Sequence, residues 1–275
     1  MIVENPLTMS VQENVGQTIC NGALPNNEEL PKREWKLGSF KEFTNQAGLR
    51  ALFAEFLGIF MLVLFATGGI NPRIIARLDD SGTTDLFNFS TSFGVGMTVC
   101  LMIYLCEDVS GGHVNPSITL MFFLDTQISF VRMICYIFVQ FCGGFTAAGL
   151  LWGIGDFEGL PDFAPPTFED FNVIRVIVFM VAGSWMMILV TLAAIDARRG
   201  HADCFLQPFA IGMSIHIALL FMGPYVVTGL NPIVICWYIV CGAWTHHLWA
   251  FGLLPFLGTA TAVAVYNGIL RPYKA

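Results

Sequence analysis

The sequence predicts an all-α membrane protein with six transmembrane helices and two re-entrant half-helices, arranged as an inverted repeat. Three observations predict this fold class. The 275 residues are 55% hydrophobic and only 12% charged, whereas soluble domains carry about 25% charged residues. Six apolar segments are long enough to cross a bilayer. Two Asn-Pro pairs open apolar segments that are too short to cross one, which is typical of broken helices that meet inside a membrane.

The lengths of the apolar segments separate full crossings from half crossings. A spanning helix needs about 20 apolar residues. Six segments meet this length, at roughly 51–70, 86–106, 133–154, 173–195, 205–223 and 248–269. Two shorter segments, 114–124 and 230–241, are predicted to be half-helices. Proline is favoured in the first turn of a helix and costly inside one. We therefore expect the second half-helix to begin at Pro232, although the apolar run from Tyr225 to Trp244 would otherwise indicate a seventh span.

The two halves of the chain repeat one pattern. Phe93-x-x-Gly96-Met97 precedes Asn115, and Phe209-x-x-Gly212-Met213 precedes Asn231. The interval from phenylalanine to asparagine is 22 residues in both halves. A lone Asn-Pro pair mostly marks a turn. Two pairs at the same distance from matching helix patterns indicate a repeated unit of a spanning helix followed by a half-helix.

Basic residues predict the orientation of the spans. Six spans with both termini in the cytosol place ten of the 13 Lys and Arg residues on the inner side, as the positive-inside rule requires. The segment 155–172 is acidic and contains no Lys or Arg, which favours the outer side. The half-helices that begin after Asn115 and Asn231 then enter the membrane from opposite faces.

The rest of the chain predicts little additional chemistry. Residues 1–46 are polar and rich in Asn, Glu, Gly and Pro, which predicts a disordered cytosolic tail. Residues 47–270 are predicted to form one membrane domain, and 271–275 a short cytosolic tail. The net charge of −7 gives no reason to expect nucleic acid, and no spacing of Cys and His predicts a metal. No cofactor is predicted, and the lipid bilayer of the plasma membrane or an intracellular membrane is the expected surrounding.

The Asn-Pro motifs are the candidate site residues. These motifs are Asn115-Pro116-Ser117 and Asn231-Pro232-Ile233. Asparagine is among the best N-cap residues, and the N-terminus of a helix carries positive potential from its unpaired N–H groups. Two such ends that meet at the bilayer midplane would orient the oxygen of a passing molecule and repel protons and cations.

These residues resemble a known family, the aquaporins and glycerol facilitators (major intrinsic proteins), over roughly residues 51–270. The resemblance rests on Ala54–Phe60 in the first span, Ser110–Thr119 around the first Asn-Pro pair, and Tyr136, Gln140 and Pro208–Ser214 in later spans. It implies a homotetramer with one pore in each subunit. It also implies that water or a small neutral solute is the partner that passes through the pore.

The second half departs from the family pattern. Members usually read Asn-Pro-Ala-Arg in the second loop, whereas Val234 stands in place of the arginine here. By resemblance, the selectivity constriction consists of Val95, Leu219, Thr228 and Val234, with Phe93 as the alternative to Val95. Water-selective members have an aromatic residue, a His and the Arg there, and glycerol facilitators follow the Arg with Asp. Neither subtype is matched, and an apolar constriction favours low water flux unless the pore is wide.

Other residues are assigned supporting roles. Glu55 is the only acid within the first predicted span, and an intramembrane acid is a functional candidate by default. We predict that Glu55 binds the backbone of the first loop and that His113 packs within that loop. The position equivalent to Glu55 in the second half is Met180. Arg198, Arg199 and His201 form an inner loop that is interpreted as a positive-inside anchor, with an inner gate as the alternative.

Three classes of function remain open. The leading hypothesis is a passive channel for water or small uncharged solutes of the glycerol, urea and ammonia class. The altered second half also allows a poorly conducting or gated structural or adhesion protein. A coupled transporter would use the same inverted repeats but usually needs an acid in its pathway. An enzyme is not predicted, because the sequence offers no nucleophile–base pair and no metal cluster.

Overall fold

A computed structural model describes residues 33–68, 84–154, 172–199, 206–223, 226, 229–242 and 248–272. The predictions for Thr228, for His201, for the first 32 residues and for most of the acidic outer segment lie outside these residues. The described chain consists of helices joined by turns and irregular segments. The side on which residues 33 and 272 lie is called the inner side below.

Eight α-helices make up the described fold. They are α1 Gln46–Gly68, α2 Thr84–Ser110, α3 Pro116–Leu124, α4 Phe130–Ile154, α5 Val173–Ile195, α6 Leu206–Met222, α7 Val234–Val240 and α8 Leu248–Val265. A π-helix, Tyr266–Leu270, continues α8, and 3-10 turns cover Phe40–Phe43 and Ala197–Arg199. Within the described residues, five helices are long and apolar enough to cross a membrane, and α6 is a shorter apolar helix of 17 residues. The half-helices α3 and α7 have nine and seven residues.

The helices pair in two matching sets, as an inverted repeat requires. In the first half α1 packs on α2 and α4, and in the second half α5 packs on α6 and α8. Each half-helix also contacts the last helix of the opposite half, so that α3 lies on α8 and α7 lies on α4. The two halves are therefore interlocked through their half-helices.

One close helix crossing joins the two repeated sequence patterns. A Cβ atom added at Gly96 would lie 2.5 Å from the Gly212 carbonyl oxygen, and one added at Gly212 would lie 2.5 Å from the Gly96 oxygen. Only glycine allows two helix backbones to approach in this way. The paired Gly-Met patterns of the sequence therefore mark the contact between α2 and α6.

Two predicted boundaries are wrong. The α-helix of the second half-crossing begins at Val234 and not at Pro232. The N–H groups of Val234, Ile235 and Cys236 bond to carbonyls three positions earlier, so that the first turn has 3-10 geometry. Residues 33–45 are also not a disordered tail.

This ordered segment, which we call the N-terminal strap (residues 33–45), lies against the start of α4. The carbonyl oxygens of Lys36 and Leu37 accept hydrogen bonds from the N–H groups of Phe130 and Val131 at 2.9 and 3.0 Å. The first N–H groups of a helix have no partner within the helix. The strap is ordered because it supplies these partners.

Candidate functional site

In both Asn-Pro motifs the asparagine side chain accepts a hydrogen bond from the N–H two positions later, at the N-terminus of α3 and in the 3-10 turn that precedes α7. Asn115 has extended backbone geometry, and its Oδ1 accepts a hydrogen bond of 2.8 Å from the Ser117 N–H. Asn231 Oδ1 accepts a hydrogen bond of 3.1 Å from the Ile233 N–H. With the oxygen of each side chain engaged on its own half-helix, the amide N–H₂ group points away from that half-helix.

The amide group of each asparagine donates a hydrogen bond to the loop of the opposite half. Asn115 Nδ2 donates to the Leu230 carbonyl oxygen at 3.3 Å, and Asn231 Nδ2 donates to the Val114 carbonyl oxygen at 3.2 Å. Each acceptor is the residue that precedes the opposite asparagine. Asn115 Nδ2 also lies 3.7 Å from the sulfur of Met187. The two loops are therefore joined at the centre by a symmetric pair of hydrogen bonds.

The backbone of the first loop is strained at the point where it meets Asn231. Val114 has φ +36°, a conformation that costs a β-branched residue about 1–3 kcal/mol. Its carbonyl accepts from Asn231, and its N–H donates to Glu55 Oε2 at 2.9 Å. Bonds on both sides of the residue hold it in this conformation.

Glu55 lies beneath the first loop and is completely buried. Oε1 accepts hydrogen bonds from the Ser110 hydroxyl at 2.6 Å and the His113 N–H at 2.9 Å. Oε2 accepts from the Val114 N–H at 2.9 Å and from Gln140 Nε2 at 2.7 Å. A carboxylate is suited to this position, because it accepts hydrogen bonds only.

His113 and Gln140 complete the support of the first loop. The His113 ring stacks on Phe122 with centroids 4.2 Å apart, and its Nδ1 lies 3.2 Å from Thr119 Oγ1. Gln140 Nε2 also donates to Thr119 Oγ1 at 2.9 Å. The role of Gln140 in the site was not predicted from the sequence, although a polar residue within an apolar span is the signal that could have indicated one.

The second loop has an apolar support. Met180 is completely buried, and a Cβ atom added at Gly229 would lie 2.5 Å from Met180 Cε and 3.5 Å from the Phe251 ring. Gly229 occupies the position before Leu230 that His113 occupies before Val114. A thioether and an aromatic ring therefore contact the second loop where a carboxylate holds the first.

A cavity of about 140 Å³ extends along both loops. Of the 26 lining residues that the structure describes, 17 have apolar side chains and three are glycine. The polar side chains in the lining belong to Thr67, His113, Asn115, Thr191, Gln207 and Asn231. Among the described lining residues there is no Asp, Glu, Lys or Arg, so a solute meets the two amides and an otherwise largely aliphatic wall.

The predicted constriction residues that are described all line this cavity. They are Val95 on α2, Leu219 on α6 and Val234 at the start of α7. Phe93, the alternative to Val95, is absent from the described lining and packs against the His216 ring with centroids 5.5 Å apart. His216 is buried between α6 and α2, where its Nδ1 lies 3.0 Å from Ser92 Oγ.

The two inner-loop arginines are engaged away from the cavity. Arg198 forms hydrogen bonds of 2.7 and 2.9 Å with Asp196. Arg199 donates to the Tyr266 hydroxyl at 3.2 Å and to the Leu270 carbonyl at 3.3 Å. Burial would raise the pKa of Asp196, but hydrogen bonds from Arg198 and Tyr266 outweigh it and hold that pKa below its ordinary value. These contacts agree with the interpretation of the inner loop as an anchor. An inner gate formed by this loop stays a prediction.

Replacing Glu55 tests the support of the first loop. We expect Glu55→Ala to lower the free energy of unfolding by about 3 kcal/mol or more, because four buried donors lose their acceptor. Glu55→Gln should cost less, about 1–3 kcal/mol, because its amide keeps one oxygen. Thermal melting of the protein in detergent measures both, with the exposed Glu34→Gln as the control. Melting of Glu55→Ala at the wild-type temperature would contradict this role.

Gly144 and Ile233 offer a test of the contact between α4 and the turn that precedes α7. A Cβ atom at Gly144 would lie 2.6 Å from Ile233 Cγ2, so Gly144→Ala should destabilise by about 1–3 kcal/mol through overpacking. Adding Ile233→Ala should recover part of this loss. Gly149→Ala on the same helix is the matched control, because nothing lies within 4 Å of its added Cβ. Additive effects of Gly144→Ala and Ile233→Ala on the melting temperature would rule out the contact.

Comparison with known proteins agrees with this geometry. The fold and the site define a multi-pass membrane protein in which two inverted half-helices meet at a central cavity. The family model for "Major intrinsic protein" matches residues 42–266. The chain is 30% identical to the probable aquaporin PIP2-7 of Oryza sativa subsp. japonica, over 81% of this chain and 79% of that one. It is also 30% identical to Aquaporin-1 of Sus scrofa, over 84% and 86% of the two chains. The chain therefore belongs to the major intrinsic protein family.

A solved structure supports the fold independently. The X-ray structure of the aquaglyceroporin from Plasmodium falciparum matches 82% of this chain and 97% of that chain, with a TM-score of 0.61 and 17% identity. At this identity the likeness concerns the fold alone. The predicted fold class, six spans and two half-helices in an inverted repeat, is confirmed.

Proposed function

We propose that this protein is a passive channel for water and small uncharged solutes. The observation that carries the proposal is the meeting of Asn115 and Asn231 in one cavity, where both amides stand at the N-termini of half-helices. Positive potential at those ends favours the oxygen of a neutral solute and disfavours a cation. The relatives that are named aquaporins and the aquaglyceroporin with the same fold support this class of function.

The lining favours small neutral solutes over fast water transport. Val95, Leu219 and Val234 offer no hydrogen bonds to a water molecule that leaves its neighbours. An apolar constriction resists wetting unless it is wide. Valine in place of the family's arginine also leaves a wider constriction, which favours small uncharged solutes. Glycerol, urea and ammonia are the proposed substrates, with Thr228 as the fourth member of the constriction.

A coupled transporter receives less support. Such proteins usually place an acid in the pathway for ion coupling. Glu55 is buried beneath the first loop with four donors on its two oxygens. It is also absent from the described lining of the cavity. We propose that the acid is structural and that transport is driven only by the gradient of the solute.

Swelling of proteoliposomes tests the proposal. Vesicles that contain the protein should swell faster than empty vesicles in a gradient of urea or glycerol, with no change when Na⁺ or proton gradients are imposed. Swelling that requires an ion gradient would identify a transporter. Folded protein that gives no swelling above empty vesicles would favour the structural or adhesion alternative.

We also propose a homotetramer with both termini in the cytosol. The assembly is implied by family membership, and the orientation is supported by the ten basic residues on one side. Native mass spectrometry of the detergent-solubilised protein tests the first point. Protease access to tags at either end in sealed cells tests the second.

A further inference from the structure

A carboxylate at the inner end of half-helix α3 joins three distant parts of the chain. Asp125 is the C-cap residue of α3, and its side chain is only 3% exposed. Arg271 Nη2 donates to both of its oxygens, at 2.7 and 2.8 Å, and Arg33 forms an ion pair with Oδ1. The three residues are separated by 92 and 146 positions in the sequence.

Local electrostatics do not explain an acid at this position. The C-terminus of a helix carries negative potential from its unpaired carbonyl groups, which disfavours a carboxylate. A buried carboxylate also loses its hydration unless it is paired. Arg33 and Arg271 supply the positive charges that pair with Asp125, and in return it ties both of these residues to α3. Gln127 Nε2 also donates to Asp125 Oδ2 at 2.8 Å.

Arg271 and the strap that carries Arg33 are held by further contacts. Arg271 lies over the Tyr266 ring at 5.6 Å, and its Nε is 3.8 Å from Asp196. Arg33 belongs to the N-terminal strap, in which Trp35 packs edge-on against Phe123 of α3 with centroids 4.9 Å apart. The two chain ends thus contact α3 through well-defined groups.

The half-helix α3 connects Asp125 at its inner end with Asn115 at its N-terminus. At 1.5 Å per residue, the nine residues of α3 span about 14 Å. A helix this short moves as a rigid unit. A shift at its inner end therefore moves the Asn115 amide relative to Leu230 and the cavity.

We propose that Asp125 is a positioning residue for Asn115. The structure assigns to Arg33 and Arg271 the task of fixing the inner end of α3, so that the N-terminal strap and the C-terminal segment set the geometry at the centre of the cavity. The expected effect on permeation rests on the proposed channel function, whereas the expected effect on the order of α3 is independent of it.

The test uses the full chain with Asp125→Asn, Arg33→Gln and Arg271→Gln, and with Arg33→Lys as the conservative variant. Lys36→Gln, which removes an exposed cation from the same strap, is the matched control. The first readout is hydrogen–deuterium exchange in detergent. We expect the amides of residues 117–124 to exchange about tenfold faster or more in the first three variants, the change typical of losing a charge-assisted hydrogen bond. The Lys variant and the control should stay near wild type.

The second readout is the ratio of water to urea permeability in vesicles, which does not depend on the number of folded channels. It should change in the variants that loosen α3. Faster exchange spread over all helices, or an unchanged ratio together with unchanged exchange in 117–124, would overturn the proposal. If Asp125→Asn does not fold, Arg33→Gln, which changes a half-exposed side chain of the strap, tests the proposal by the same criteria. Wild-type vesicles that fail to conduct would contradict the channel function and leave the exchange result to decide the positioning role.

Discussion

Asn115→Ala and Asn231→Ala should each lower solute flux or admit ions, without preventing assembly. Asn115→Ala removes the N-cap of α3, which costs about 0.5–2 kcal/mol, and Asn231→Ala removes the equivalent hydrogen bond to the Ile233 N–H. Each substitution also removes one of the two hydrogen bonds between the loops, which have lengths of 3.3 and 3.2 Å. The amide donor at the centre of the cavity is lost as well. Flux of urea and conductance of Na⁺ in the same vesicles measure the two outcomes.

Two control variants separate these effects. Asn172 caps α5 by accepting a 3.0 Å hydrogen bond from the Arg175 N–H, and it is exposed. Asn172→Ala therefore removes a cap outside the described cavity lining and should leave flux unchanged. Asn115→Asp keeps a capping oxygen but loses the amide donors and adds negative charge, so it should admit cations more readily than Asn115→Ala. Wild-type flux and selectivity in both folded alanine variants would refute a pore between the two half-helices.

Val234→Arg should raise the ratio of water permeability to glycerol or urea permeability. Val234 lines the cavity together with Leu219, so an arginine there would narrow the opening and provide donors for water. Met180 contacts the second loop in the position that Glu55 takes at the first, and it cannot accept the hydrogen bonds that would hold an arginine. The double variant Met180→Glu with Val234→Arg is therefore the stronger test. Stopped-flow light scattering measures the ratio.

Val234→Met is the control for size, because it adds length without charge or N–H donors. Val234→Met should lower the permeability to water and to the solute alike, because it narrows the opening but offers water no hydrogen-bond donors. An arginine that faces hydrocarbon would cost about 2.5–3.5 kcal/mol on insertion. Poor folding of both arginine variants would indicate that Val234 does not face an aqueous pathway. A well-folded double variant with an unaltered ratio would place the constriction elsewhere.

The parts of the fold that the sequence predicts are those with a local cause. Proline is favoured in the first turn of a helix and costly inside one, so both half-helices could be predicted from Pro116 and Pro232 within their short apolar segments. Gly96 and Gly212 could be recognised as a pair because their surroundings repeat, and they form the crossing of α2 and α6. Glu55 could be singled out because an acid within an apolar span needs partners.

The remaining features depend on contacts between distant residues. Asp125 follows an apolar half-helix and has the sequence context of an ordinary turn, so its pairing with Arg33 and Arg271 could not be predicted. The order of the strap has the same origin, since it depends on the N–H groups of Phe130 and Val131. The start of α7 at Val234 differs from the prediction because the first turn after Asn231 has 3-10 geometry, whereas Pro116 enters its α-helix directly.

One measurement tests the channel most directly: stopped-flow light scattering of the same vesicles in gradients of water, glycerol and urea. The predicted result is permeability to at least one of the two solutes well above that of empty vesicles, with modest water permeability and no dependence on ion gradients. Asn115→Ala and Asn231→Ala should reduce that solute permeability. Folded wild-type protein whose vesicles match empty vesicles in all three gradients would contradict a conducting pore between Asn115 and Asn231.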